Sequence, residues 1–212
     1  MKMKRTGLLL VGVIVAGMVS PPATSSAQAS MSPASTAPTL RTAMRKLWSD
    51  HVIWTRTYII AAVSGDPSAP TQLQRLMKNQ EDIGNAIVPF YGAAAGTKLT
   101  ELLKQHISQA GEVVAAAKAG DAAKLADADK RWHANAEDLA EFLSKANPNW
   151  PKATLQDMLN QHLALTTREA TDRIKQNWTD DVAAFDAVYN EIMSMADALT
   201  DGIAKQFPSK VS

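Results

Sequence analysis

Apolar residues recur at intervals of three and four along the chain after residue 39, and no segment shows the strict alternation of a strand. Because an α-helix has 3.6 residues per turn, this spacing places apolar side chains on one helix face. The pattern predicts six amphipathic helices, at about 40–64, 70–91, 98–118, 121–146, 155–175 and 179–205. Long amphipathic helices joined by short turns predict an all-α fold, an antiparallel bundle of five or six helices in a single domain.

Glycine and proline mark the breaks between these helices, as in "SGDPSAPT" (64–71) and "NPNWPKAT" (147–154). Thr97 follows the turn "YGAAAGT" and is predicted to cap the third helix. Gly84 lies in the middle of the second helix, where glycine costs about 1 kcal/mol relative to alanine. A close approach of another backbone at Gly84 is therefore expected.

The N-terminal segment has a different composition from the helical region. Three basic residues precede an apolar run from Gly7 to Val19, and "AQA" follows at 27–29. This order of charge, short apolar core and small-x-small site predicts a secretory signal peptide cleaved after Ala29. The apolar run is shorter than the roughly 18 residues of a membrane span. We therefore expect an exported protein, periplasmic or extracellular, with no membrane span.

The chain divides accordingly into a signal peptide (1–29), a disordered leader "SMSPASTAPT" (30–39) and a helical-bundle domain (40–208). There is no cysteine, which excludes disulfides, thiolate metal sites and a cysteine nucleophile. Loss of the three basic residues of the signal peptide leaves 19 of the 22 Lys and Arg against 21 Asp and Glu. A net charge near minus two gives no reason to expect nucleic acid or an anionic membrane as a partner.

Three of the four histidines occupy the same local pattern. "LWSDH" (47–51), "LLKQH" (102–106) and "MLNQH" (158–162) each contain two large apolar residues, two polar residues and a histidine. On a helix, the histidine lies one turn beyond the apolar pair on the same face. We therefore predict that His51, His106 and His162 point into the core.

Two further similarities suggest an old duplication. "LMKNQ" (76–80) has the shape of the histidine segments, with Gln80 in the place of the histidine. A threonine also follows the histidine by four residues in two of the helices, as Thr55 and Thr166.

Burying an imidazole without a partner is costly, so these histidines must meet each other, a carboxylate, water or an ion. Asp181 lies on the apolar seam of the sixth helix and is the best-placed buried carboxylate. Neutral imidazoles with one carboxylate suit zinc, copper or iron, and bundle cores commonly hold such sites. The hypothesis is a transition-metal or small polar ligand site. It comprises His51, His106, His162 and Asp181, with Gln80, Thr55, Thr166 and Tyr58 orienting the ring nitrogens.

The alternative hypothesis is a structural or interaction bundle with no ligand. Each histidine then bonds locally to a threonine, a tyrosine or a carbonyl, at a different level of the bundle. His133, between Asp129 and Glu137, has the spacing of a solvent-exposed ion pair. Arg56 and Arg168 fit either an anion site at the end of the bundle or surface salt bridges.

No catalytic residue is predicted from the sequence. The E-x-x-H pattern of di-iron bundles and the H-E-x-x-H pattern of metalloproteases are both missing. The phosphate-binding glycine loops and the G-x-S-x-G and S-x-x-K nucleophile motifs are missing as well. A non-enzymatic binding function is therefore favoured, since an enzyme would need an open cleft reaching the histidines.

Several segments together resemble a family of small exported bacterial helical-bundle proteins with no established activity. The likeness covers about residues 42–208 and is carried by "LWSDHVIWTR", "NQEDIGNAI", "RWHANAEDLAEFL", "HLALT", "MADALTDGI" and "KQFP". The resemblance implies export and a helical fold, and it identifies no catalytic residue.

Overall fold

The computed structural model describes residues 39–211 and contains no strand in that range. The six predicted helices are confirmed with small shifts at their ends, and a short helix follows them. Their bounds are α1 Leu40–Ser64, α2 Ala69–Tyr91, α3 Ala93–Ala119, α4 Ala122–Ala146, α5 Lys152–Ile174, α6 Trp178–Gln206 and α7 Pro208–Val211. The all-α prediction is therefore confirmed. The predicted signal peptide, and all of the predicted leader except Thr39, lie outside the described residues.

The six long helices pack as three hairpins that close into a ring. The pairs α1 with α2, α3 with α4 and α5 with α6 form the hairpins, while α2 also packs on α3, α4 on α5 and α6 on α1. The first helices of the three hairpins, α1, α3 and α5, contact one another as well. These three are therefore the inner helices, and side chains on their shared faces enclose the core. None of the helices within 39–211 is long and apolar enough to cross a membrane.

The three hairpins turn at equivalent positions. Gly65, Gly120 and Gln176 each follow an inner helix and have positive φ angles of 73°, 68° and 61°. They are 55 and 56 residues apart, which are also the separations of His51, His106 and His162 along the chain. The three hairpins therefore repeat one structural plan, which extends the similarity seen in the sequence.

The contact between α2 and α3 explains Gly84 and corrects one prediction. A Cβ built on Gly84 would lie 2.6 Å from the carbonyl oxygen of Gly96, so the expected close backbone approach is confirmed. The prediction that Thr97 caps α3 is wrong, because α3 begins at Ala93. Gly92, with φ of 85°, reverses the chain within one residue and lets the helix start earlier.

Candidate functional site

The three histidines of the inner helices lie together in the core. His51, His106 and His162 are 3%, 4% and 5% exposed. The ring centroids of His51 and His162 are 5.7 Å apart, and those of His106 and His162 are 6.3 Å apart. All three rings line one internal cavity. The shared sequence pattern thus places the histidines at one level of the bundle.

Each histidine is associated with a polar side chain on the outer helix of its own hairpin, 29 residues further along. Nδ1 of His106 lies 3.0 Å from Oδ1 of Asn135, and Nδ1 of His162 lies 2.9 Å from Oε2 of Glu191. Gln80 holds the corresponding position after His51 and acts to raise the pKa of that imidazole, although no well-formed hydrogen bond joins the two side chains. The core therefore contains three histidines with an amide or a carboxylate at the same position of the following helix, and two of them, His106 and His162, are hydrogen-bonded to it.

The hydrogen bonds of His106 fix its tautomer. The indole Nε1 of Trp132 can only donate, and it lies 3.2 Å from Nε2 of His106. Nε2 is therefore the acceptor, so Nδ1 carries the proton and donates to Asn135, whose amide in turn donates to the carbonyl of Leu102. Burial, and to a lesser degree the charge of His162, lowers the pKa of His106 to about 3. His106 is a neutral ring with both nitrogens paired.

The amide of Gln80 assigns the tautomer of His51. Its nitrogen donates to the carbonyl of Leu76 (2.8 Å) and to Oδ1 of Asn79 (3.1 Å), so Oε1 is left as an acceptor. Within residues 39–211, this Oε1 and Nδ1 of His51 are both buried without a hydrogen-bond partner, and a proton on Nδ1 would give the Gln80 oxygen a donor to accept from. Burial, followed by the charges of His162 and His106, lowers the pKa of His51 well below its usual value, and Gln80 opposes this shift. His51 is therefore neutral, and Nε2 carries its lone pair.

Glu191 is a functional candidate that sequence reasoning missed. Its carboxylate accepts a hydrogen bond from Nδ1 of His162. Nε2, the other nitrogen of that ring, takes no part in this bond. Glu191 is 8% exposed, and its Oε1 is buried without a partner among the described residues. The signal that would have found it is the spacing, since Glu191 follows His162 as Gln80 follows His51.

The cavity is small and apolar apart from the imidazoles. Its volume is about 40 Å³, which is enough for a water-sized group or a single ion. It extends from the histidines toward the end of the bundle that contains Trp150. Side chains that line it include Met44, Trp48, Leu103, Trp150, Ile192 and Met195. No hydrogen bond in the described part of the chain occupies Nε2 of His51 or of His162.

Asp181 does not reach the histidines and belongs to a separate ionic cluster. Its carboxylate binds both nitrogens of the Arg56 fork, one of them at 2.8 Å, and Arg173 at 3.2 Å. Arg56 also binds Glu169 at 3.0 Å, so the anion site considered for this arginine is filled by two carboxylates of the protein. Asp181 lies on the seam of α6, but ten residues separate it from Glu191, which corresponds to about 15 Å along a helix.

The two buried carboxylates of this cluster have opposite pKa shifts. Burial raises the pKa of Glu169 to about 7, against the opposing effect of Arg56. Burial acts in the same sense on Asp181, but hydrogen bonds and charge from Arg56 and Arg173 outweigh it and hold its pKa below the usual value.

The other predicted second-layer residues do not orient ring nitrogens. Thr55 donates to the main-chain carbonyl of His51 at 2.8 Å, a common bond for a threonine within a helix. Thr166 is buried without a partner among residues 39–211, and with Thr55 and Tyr58 it lines a second cavity of about 20 Å³. His133 is exposed and bonds to the main-chain oxygen of Asp129 at 3.0 Å, while Arg168 lies 3.5 Å from Asp172.

Two observations bear on a metal bound by all three histidines. In the described residues, no three His, Asp or Glu side chains lie close enough together to share a metal ion. In addition, Nε2 of His106 accepts a hydrogen bond from Trp132, so this nitrogen is engaged within the protein. No protein-family model, curated protein or solved structure matches the chain.

Proposed function

We propose that this protein is an exported, non-enzymatic binding protein that holds a small polar ligand or a transition-metal ion in the histidine-lined cavity. The observation that carries the proposal is the pairing of His51 and His162. Nδ1 of His162 is held by Glu191, Nδ1 of His51 lies buried without a partner in the described residues, and no hydrogen bond there occupies Nε2 of either ring. Buried polar atoms without partners commonly mark the place of a bound water, ion or ligand.

The chemistry of these nitrogens limits the kind of ligand. Nε2 of an Nδ1–H imidazole offers a lone pair, so it binds a hydrogen-bond donor or a metal cation. An anion finds no positive charge at a neutral His51. We therefore expect a ligand that donates hydrogen bonds or accepts lone pairs, with zinc, copper and iron among the metals.

The environment favours holding a ligand over transforming it. The three histidines are at most 5% exposed, and the rest of the cavity lining is apolar. An active site needs an open path for substrate and product, which such buried rings do not offer as they stand.

A structural bundle without a ligand is the second candidate, and one observation favours it. Both nitrogens of His106 are satisfied within the protein, by Trp132 and Asn135. In that case, His51 and His162 serve the same purpose as His106 and only fill and align the core.

Native mass spectrometry combined with elemental analysis distinguishes the two candidates. Untagged protein is purified from the exported fraction as the wild type and as the His51→Gln, His162→Gln and His133→Gln variants. We expect a bound mass or metal in the wild type and in the exposed control His133→Gln, and its loss in the other two. An occupant-free wild type, or equal occupancy in all four proteins, would contradict the binding function.

A further inference from the structure

We propose that the cavity binds one copper(I) ion between Nε2 of His51 and Nε2 of His162. This inference rests on the proposed function and makes it specific. Copper(I) is set apart from the other candidates by the number of ligands available, by the charge of the site and by the softness of the atoms that line it.

The two imidazoles have a spacing suited to a two-coordinate ion. Their ring centroids are 5.7 Å apart. Two metal–nitrogen bonds of about 2 Å each, with the radii of both rings, give about 6.4 Å between centroids in a linear arrangement, so the observed separation corresponds to a bent two-coordinate ion. Zinc in proteins almost always takes four ligands, and three protein ligands are usual even in its open sites. The third ring, His106, has its Nε2 engaged by Trp132.

The charge of the site matches a monovalent cation. Among the three anchoring side chains, Gln80 and Asn135 are neutral and Glu191 contributes one carboxylate. In the described residues, Glu191 pairs with His162 and with no lysine or arginine. In the separate ionic cluster, Glu169 and Asp181 pair with Arg56 and Arg173, so neither arginine faces the cavity carboxylate Glu191. A divalent ion would leave one uncompensated charge in an apolar cavity, which is costly.

The atoms lining the cavity are soft donors and hydrocarbon. Met44 and Met195 line the same cavity as the histidines and are 2% and 4% exposed. No side chain with an oxygen atom belongs to the described lining. A soft sulfur-containing surrounding favours copper(I), imidazole suits copper as well as zinc, iron and nickel, and magnesium, calcium and manganese prefer oxygen. An enclosed site of this composition shields the reduced ion from water and suits carrying or sequestering copper.

The test is an anaerobic titration of the purified, emptied protein with copper(I) bicinchoninate, in which loss of the coloured chelate reports transfer to the protein. We expect one equivalent of copper(I) to transfer to the wild type and to the exposed control His133→Gln. The His51→Gln and His162→Gln variants should each bind at least about 100-fold more weakly. Glu191→Gln, which keeps the shape of the anchor and removes its charge, should bind about 10- to 100-fold more weakly.

A parallel X-ray absorption spectrum should show two nitrogen neighbours around copper. If a histidine variant fails to fold, Glu191→Gln and this spectrum still test the site, since copper bound without two nitrogen neighbours would overturn it. Copper is the wrong ion if the wild type leaves the chelate intact, if zinc chloride binds equally well, or if the variants match the wild type.

Failure of the copper inference is separable from failure of the binding function. Another metal or an organic molecule found in the exported protein by native mass spectrometry overturns copper(I) and keeps the cavity as a binding site. A protein that is exported without an occupant and takes up no copper(I) overturns both.

Discussion

The buried neutral state of His106 predicts a loss of stability in mild acid. The pKa of this side chain is lowered from 6.5 to about 3 by burial, so between these pH values the unfolded chain binds a proton that the native protein does not. Stability therefore falls as pH falls through this window. Each pKa unit corresponds to 1.36 kcal/mol. Protonation of this histidine in the unfolded chain therefore lowers the free energy of unfolding by about 2 kcal/mol between pH 6.5 and 5, and by roughly 5 kcal/mol once pH 3 is reached.

Two other buried groups modify this dependence in the wild type. His51, whose pKa is also lowered by burial, acts in the same direction. Glu169 acts in the opposite direction, because its pKa is raised to about 7 and its protonated form is favoured in the native state. Between pH 6.5 and 5, the effect of Glu169 is about 2 kcal/mol of added stability, so it offsets about one histidine.

The contribution of His106 is therefore isolated by comparing variants. Urea unfolding at pH 6.5 and 5.0 gives the change in unfolding free energy for the wild type, His106→Gln and the exposed control His133→Gln. We expect the loss on acidification to be about 2 kcal/mol smaller in His106→Gln than in the wild type, and unchanged in the control. Equal losses in the wild type and His106→Gln would refute the assignment of a neutral, buried His106.

Three substitutions test other parts of the fold by urea unfolding at pH 7. Gly84→Ala should lower the free energy of unfolding by about 1–3 kcal/mol, because its Cβ meets the backbone of the facing helix. Gly111→Ala should lower it less, and equal effects of the two changes would contradict the close contact. Asp181→Asn should lower the free energy of unfolding by about 3–5 kcal/mol, because Glu169 is then the one carboxylate of the cluster left to face Arg56 and Arg173, and a loss below 1 kcal/mol would show that the ionic cluster is not structural. Gln176→Gly should gain up to about 1 kcal/mol by relieving a left-handed backbone, and a loss would show that the side chain matters more.

The positions of the histidines followed from local periodicity alone. Each of His51, His106 and His162 lies one turn beyond an apolar pair. Because a helix places the histidine and its apolar pair on the same face, the burial of the three rings could be predicted from the sequence. Their meeting at one level follows from the repeated hairpin, which a spacing of 55 and 56 residues reflects. The amphipathic pattern likewise gave the helix ends to within a few residues, except where Gly92 allowed α3 to begin early.

The partners of the histidines did not follow from the sequence. Asp181 and Glu191 lie on the same helix, and no local rule tells which of the two carboxylates reaches His162. That choice depends on the position of α6 along α1 and α5, in which Arg56 pairs with Asp181 and His162 with Glu191. The position of one helix along its neighbours depends on many contacts between residues distant in the sequence. The spacing of apolar residues does not reveal those contacts.

The most direct test of the binding account is the imidazole ¹⁵N NMR spectrum of the protein, recorded as purified from cells and again after unfolding and refolding to empty it. The account predicts that all three core rings carry the proton on Nδ1 in the emptied protein. It also predicts that Nε2 of His51 and His162 shifts between the two samples while His133 does not. Protons on Nε2 of His51 and His162, or identical spectra for the two samples, would contradict it.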